Sequence, residues 1–174
     1  MSAEPRWSPS GLEIAFWAIQ ARQRDTWIVA RDSIGGSWGQ PTQLTDFDCL
    51  VSDWAPDGSG VLCGERDSTL TLVSRDGEVL WHYDPAADGL LGCQYPSFSA
   101  DGSTIYSPGR SVEGTEGVWA LPSEGGEPRL MVAFDAAEMV GLRAVSVTNA
   151  RNSIYLTVRE AETDIWVADV EVGR

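Results

Sequence analysis

Residues 52–63 read SDWAPDGSGVLC, and each part of that stretch has a physical reading. Trp54 is an aromatic residue closing a strand. Pro56-Asp57-Gly58 makes a tight turn, because proline presets φ, the aspartate bonds its own backbone and glycine supplies a positive φ. The unit returns as PRWSPSGLEIAF (5–16), PSFSADGSTIYS (96–107) and, with the turn degraded to Asn149-Ala150-Arg151-Asn152, as VSVTNARNSIYL (145–156). Its anchors Trp7, Trp54, Phe98 and Val147 stand 47, 44 and 49 residues apart. That period is the length of one four-stranded propeller blade.

A second feature keeps the same period. DTWIVA (25–30), STLTLV (68–73), GVWALP (117–122) and DIWVAD (164–169) follow the anchors in turn, with Trp27, Trp119 and Trp166 in one place and Leu70 replacing them once. Between the two features runs a second strand such as Ile14-Ala15-Phe16, of a composition that suits a pleated sheet. Turns at 32–36, 75–77 and 123–126 then send the chain into a fourth strand, such as 41–45. The expected fold is all-β, a propeller segment of about four four-stranded antiparallel blades at 5–45, 46–83, 84–134 and 135–174, the last lacking its outer strand. Residues 135–144 carry helix-favouring Ala, Glu and Met, so a helical turn in the last link competes with plain loop.

WSPSGLEIAF followed by DTWIVA, a Gly-Gly turn and QLT resembles the WD-like propeller repeat of the TolB type, and the resemblance covers essentially the whole chain. It implies a bacterial, non-catalytic scaffold for protein–protein interaction in the periplasm or cell envelope. It also leaves two arrangements open. The chain is the C-terminal part of a longer propeller, which the reading favours, or it is a small ring or a half-ring that a second copy completes. The alternatives in function are sensing of a small ligand or cation at an acidic channel mouth, and an accessory, gating role beside a hydrolase domain that this chain does not contain.

GGSWG (35–39) fits the pattern of a nucleophile elbow, with Ser37 as the nucleophile. An elbow must run into a helix, and here Pro41 and the strand-like QPTQLT follow. The stretch therefore reads as the turn between third and fourth strands, and no catalytic residue is assigned. The only histidine, His82, sits in LWHY (80–83) with no paired carboxylate, and reads as structural.

Charge narrows the partners. A net −14 opposes nucleic acid, whose binding is driven by Lys and Arg, and makes a basic protein surface or a cation easier to attract; the plainer alternative is that the charge keeps a strand-rich protein soluble. No apolar run approaches the roughly 20 residues of a membrane span, and no signal peptide opens the chain. Three cysteines, Cys49, Cys63 and Cys93, form no C-x-x-C pair and read as buried free thiols, and no metal or cofactor is expected. The candidate binding residues are the carboxylates of the inter-blade links: Asp46, Asp48, Asp53, Asp84, Asp88 and Glu138, with Asp135 beside the last. Recurring in the links, they would ring the channel mouth. The plainer alternative is that aspartate is common in links because it caps turns. Trp17, Trp38 and Trp81 fall outside the strict repeat and are candidates for ligand platforms.

Overall fold

The computed structural model describes residues 2–20, 22–65, 67–93, 95–134, 148–150 and 153–155. Blade 1 comprises β1 (Ser2–Trp7), β2 (Glu13–Gln20), β3 (Gln23–Ala30) and β4 (Thr42–Gln43), paired antiparallel in that order. Blade 2 repeats the pattern with β5 (Leu50–Trp54), β6 (Gly60–Gly64), β7 (Leu70–Ser74) and β8 (Val79–Tyr83). Blade 3 adds β9 (Leu90–Leu91) to the set β10 (Ser97–Phe98), β11 (Thr104–Ser111), β12 (Glu116–Pro122) and β13 (Arg129–Ala133). A short hairpin, β14 (Thr148–Ala150) and β15 (Ser153–Tyr155), lies at the repeat's fourth copy. The helical alternative at 135–144 and the tryptophan at 166 lie outside the described residues.

The first turn of each blade is built alike. Gly11, Gly58 and Gly102 have φ of +69°, +74° and +74°, and their N–H groups donate to Ser8, Ala55 and Ser99 three residues earlier at 2.8–2.9 Å. Asp57 and Asp101 then accept from the backbone of Ser59 and Ser103 at 2.9 and 3.1 Å. The link from blade 2 to blade 3 is more ordered than a plain loop. A 3-10 turn over Pro85–Asp88 leads into β9, which pairs with the end of β11.

Cross-strand pairing corrects the sequence expectation at one position. Trp27 stands opposite Phe16, Trp119 opposite Ser107, and in blade 2 it is Thr71, not Leu70, that stands opposite Cys63. Leu70 instead matches Thr26 and Val118, all three at 0% exposure. One step along a strand turns a side chain to the other face, so the choice decides which neighbouring blade it meets.

The core lies between the sheets. Ala15 and Ile28 of blade 1 pack on Val51, Trp54, Val61 and Val73 of blade 2. Leu62 and Leu70 on the other face of blade 2 pack on Leu90, Phe98, Ile105 and Leu121 of blade 3. The cysteines correct a second expectation. Cys49 and Cys63 form a disulfide with Cα atoms 5.2 Å apart, and only Cys93 is a free, buried thiol. The pairing is a cross-strand matter: Cys63 stands opposite Val51, two residues after Cys49, so the two sulfurs are diagonal neighbours on one face. A crosslink over 14 residues of separation contributes on the order of 3 kcal/mol by constraining the unfolded chain.

Candidate functional site

The link carboxylates are placed one by one. Asp48 takes Arg24 in a two-pronged pair, Nε to Oδ1 at 2.8 Å and Nη2 to Oδ2 at 2.6 Å. That hydrogen bond, more than the charge alone, holds the Arg24 guanidinium above its ordinary pKa. Asp53 accepts from Ser97 Oγ at 2.7 Å and from the Phe98 N–H at 2.9 Å, tying β5 to β10 across the junction of blades 2 and 3. Asp84 caps the 3-10 turn by accepting from the Ala86 N–H at 2.9 Å. Asp88 accepts from the Tyr83 hydroxyl at 2.6 Å, and burial, reinforced by that bond, pushes the phenol well above its usual range. Asp46 is exposed, its backbone carbonyl accepting from Gln23. Asp135 and Glu138 lie outside the described residues. Among the described residues no three His, Cys, Asp or Glu side chains gather where one cation could be held.

The three non-repeat tryptophans have different surroundings. Trp17 packs against the core between blades 1 and 2. Trp38, in the GGSWG stretch, bridges back to Arg31 within the β3–β4 connection, Gly35 supplying φ +83° and Ser37 standing exposed. No helix follows it; the chain enters β4. Trp81 lies on β8, stacked on Tyr83 with ring centres 5.7 Å apart and planes 14° from parallel.

Trp81 also helps form a crevice of about 280 Å³ between blades 2 and 3, at the end where the repeat turns lie. Its apolar wall is Leu72, Trp81, Phe98 and Ile105, and Asp57 and Asp101 of the two turns are at its rim. Both carboxylates are held ionised. Asp57 is lowered chiefly by its hydrogen bonds from Ser59, and Asp101 falls to about 2 through Ser99, then Ser103. The corresponding crevice between blades 1 and 2, about 560 Å³, is polar, with Gln40, Thr42 and Gln43 beside the Glu13–Arg75 ion pair. In the sequence Asp57 and Asp101 read only as turn residues. Their recurrence at the same turn of successive blades is the signal that they share one rim.

Three consecutive antiparallel sheets packed face on face through their repeat residues define a β-propeller. No family model matches the chain, and no curated protein does. Solved structures do. A protein assigned as TolB from Agrobacterium tumefaciens superposes with a TM-score of 0.61 at 19% identity, over 76% of this chain and 50% of that one. Oligogalacturonate lyase from Vibrio parahaemolyticus gives 0.55 at 11% identity, over 75% and 39%. The C-terminal WD40 domain of Sif2 also matches, at 0.46 and 16%, over 76% and 36%. The fold is that of a TolB-like β-propeller, and the matched stretch is half or less of the length of each of these structures.

Proposed function

We propose that this chain is a non-catalytic propeller scaffold that holds a protein or peptide partner, with the crevice between blades 2 and 3 as a contact point. The observation that carries the reading is the pairing of an aromatic wall, Trp81 and Phe98, with two ionised carboxylates, Asp57 and Asp101. An arginine or lysine side chain of the partner suits that lining. Its methylene stem covers Leu72, and its cation meets the Trp81 ring and the rim carboxylates. The net charge of −14 draws a basic partner from a distance and repels nucleic acid. The disulfide suits an oxidising compartment, in keeping with the cell-envelope location that the TolB resemblance implies. One of the structural neighbours is a lyase, so this fold also supports catalysis; the weight here falls on binding because Asp53 is engaged across the blade 2–3 junction and Asp84 and Asp88 in local hydrogen bonds.

Calorimetric titration with a hexa-arginine peptide tests this directly. Trp81→Ala and Asp101→Asn should each weaken binding about tenfold, roughly 1.4 kcal/mol. Equal binding by the Trp81→Ala/Asp101→Asn double variant would reduce the affinity to general charge attraction and remove the crevice from the account.

A further inference from the structure

The crevices between blades 1 and 2 and between blades 2 and 3 are one site at two successive junctions, and strand pairing sets the correspondence. Ile28 stands opposite Ala15 and Thr42, and Leu72 opposite Leu62 and Trp81, so Thr42 and Trp81 hold one place on the outer strand. Glu13, Gly60 and Thr104 pair with Ala30, Ser74 and Pro122. The residues that follow these partners, Arg31, Arg75 and Ser123, therefore share one place at the end of the third strand. The backbone agrees. The Arg31 N–H donates to the Leu12 carbonyl and the Ser123 N–H to the Ser103 carbonyl, at 2.9 and 3.0 Å.

What stands in that place differs between the junctions. At the first, the chain supplies an arginine of its own: Arg75 of blade 2 reaches back to Glu13 of blade 1, and both line the polar crevice. At the second, Ser123 replaces the arginine, and Gly60 takes the place of Glu13, where a Cβ would run into the Val73 carbonyl. The negative charge is kept all the same. It comes from Asp57 and Asp101 in the turns, and Trp81 has replaced Thr42 in the lining. Among the described residues no cationic side chain lines this crevice. Blade 1 shows how an arginine in the shared place meets an indole, since the Arg31 guanidinium lies over the Trp7 and Trp38 rings at 5.3 and 4.8 Å from their centres.

We infer that the crevice between blades 2 and 3 selects arginine over lysine, the partner's side chain entering where Arg75 stands at the junction before. This rests on the reading of that crevice as a binding site and adds the side chain that it chooses. A guanidinium is flat, stacks on an aromatic face and offers its donors in a fixed fork, whereas an ammonium is a compact, strongly hydrated point charge. A lining with one indole and two carboxylates on separate turns matches the flat face and the fork better than the point. An acceptor is open as well. The described bonds to Asp101, from the Ser99 hydroxyl and from the Ser103 N–H and hydroxyl, all end on Oδ1, which leaves Oδ2 for the ligand.

Calorimetric titration of the full 174-residue chain with hexa-arginine and with hexa-lysine tests the preference. Hexa-arginine should bind about tenfold more tightly. Ser123→Arg gives the second junction the arginine that the first one has, and should weaken hexa-arginine about tenfold by filling the crevice from within. Thr115→Arg adds the same charge at an exposed position between β11 and β12 and should change the affinity less than about twofold. Equal affinity for the two peptides, with both lost in the Trp81→Ala/Asp101→Asn double variant, overturns the arginine preference and leaves the binding crevice standing. Binding of both peptides that the double variant does not alter overturns the crevice and the inference together, as does binding of neither. A Ser123→Arg chain that holds hexa-arginine as the unaltered chain does, or a Thr115→Arg chain weakened as much, also overturns the preference.

Discussion

The two described blade junctions solve one packing problem with different chemistry. Between blades 1 and 2 the contacts that cross include an indole to a carbonyl, Arg6 to the Ser52 carbonyl, the Arg24–Asp48 pair and the Glu13–Arg75 pair, around a polar crevice. Between blades 2 and 3 a single carboxylate, Asp53, accepts from both Ser97 and Phe98, and the crevice beside the junction is apolar. The repeat conserves the apolar anchor at both, Trp54 in one and Phe98 in the other, each more than nine-tenths buried. What varies is the polar fastening around it. The anchor holds the blades together, and the fastening decides what kind of crevice is left for a ligand.

The largest effect should come from removing an anchor. Trp54→Ala deletes a side chain 3% exposed and should lower stability by about 4 kcal/mol, read from urea denaturation. A loss below about 1 kcal/mol would mean that the junction of blades 1 and 2 does not depend on its aromatic. The fastening comes next. Asp53→Ala strands the Phe98 N–H and the Ser97 hydroxyl and should cost about 2 kcal/mol. In a double-mutant cycle Ser97→Ala should then add little; full additivity would show that the carboxylate and hydroxyl act separately. The smallest effect is in the titration of Asp101. Its folded pKa, about 2, lies below the ordinary 3.8, so whatever stability it contributes is complete above pH 3.8 and disappears as pH falls through 2. Carbon-13 NMR of the carboxyl should show that midpoint, and Ser99→Ala should move it upward. An unmoved midpoint would remove Ser99 as the leading cause.

The features that could be read in advance are those with local causes. The turns announce themselves because an aspartate bonding its own backbone and a glycine at positive φ act within four residues. The strand anchors announce themselves by recurrence. Thr71 was hidden because matching by aromatic identity picks Leu70, and only cross-strand pairing shows which of two adjacent residues faces the next blade. The Cys49–Cys63 bond was hidden for the same reason, since it depends on which residue of β6 stands opposite β5. The link aspartates were visible as residues but not as partners. Nothing near Asp48 in sequence points to Arg24, which reaches it from β3, and nothing near Asp53 points to Ser97, a blade further on. Trp81, by contrast, stood out because it broke the period.

Cys93 has a consequence of its own. Its thiol is 0% exposed within the core between blades 2 and 3, and burial pushes its pKa up to about 12, with Ser107 pulling the other way. With the other two cysteines joined, it is the one free thiol in the chain. A thiol reagent can reach it only in the moments when that junction comes apart, so the speed of its modification counts those openings. The molecule thus carries an internal clock, set at one seam, for how often its blades separate.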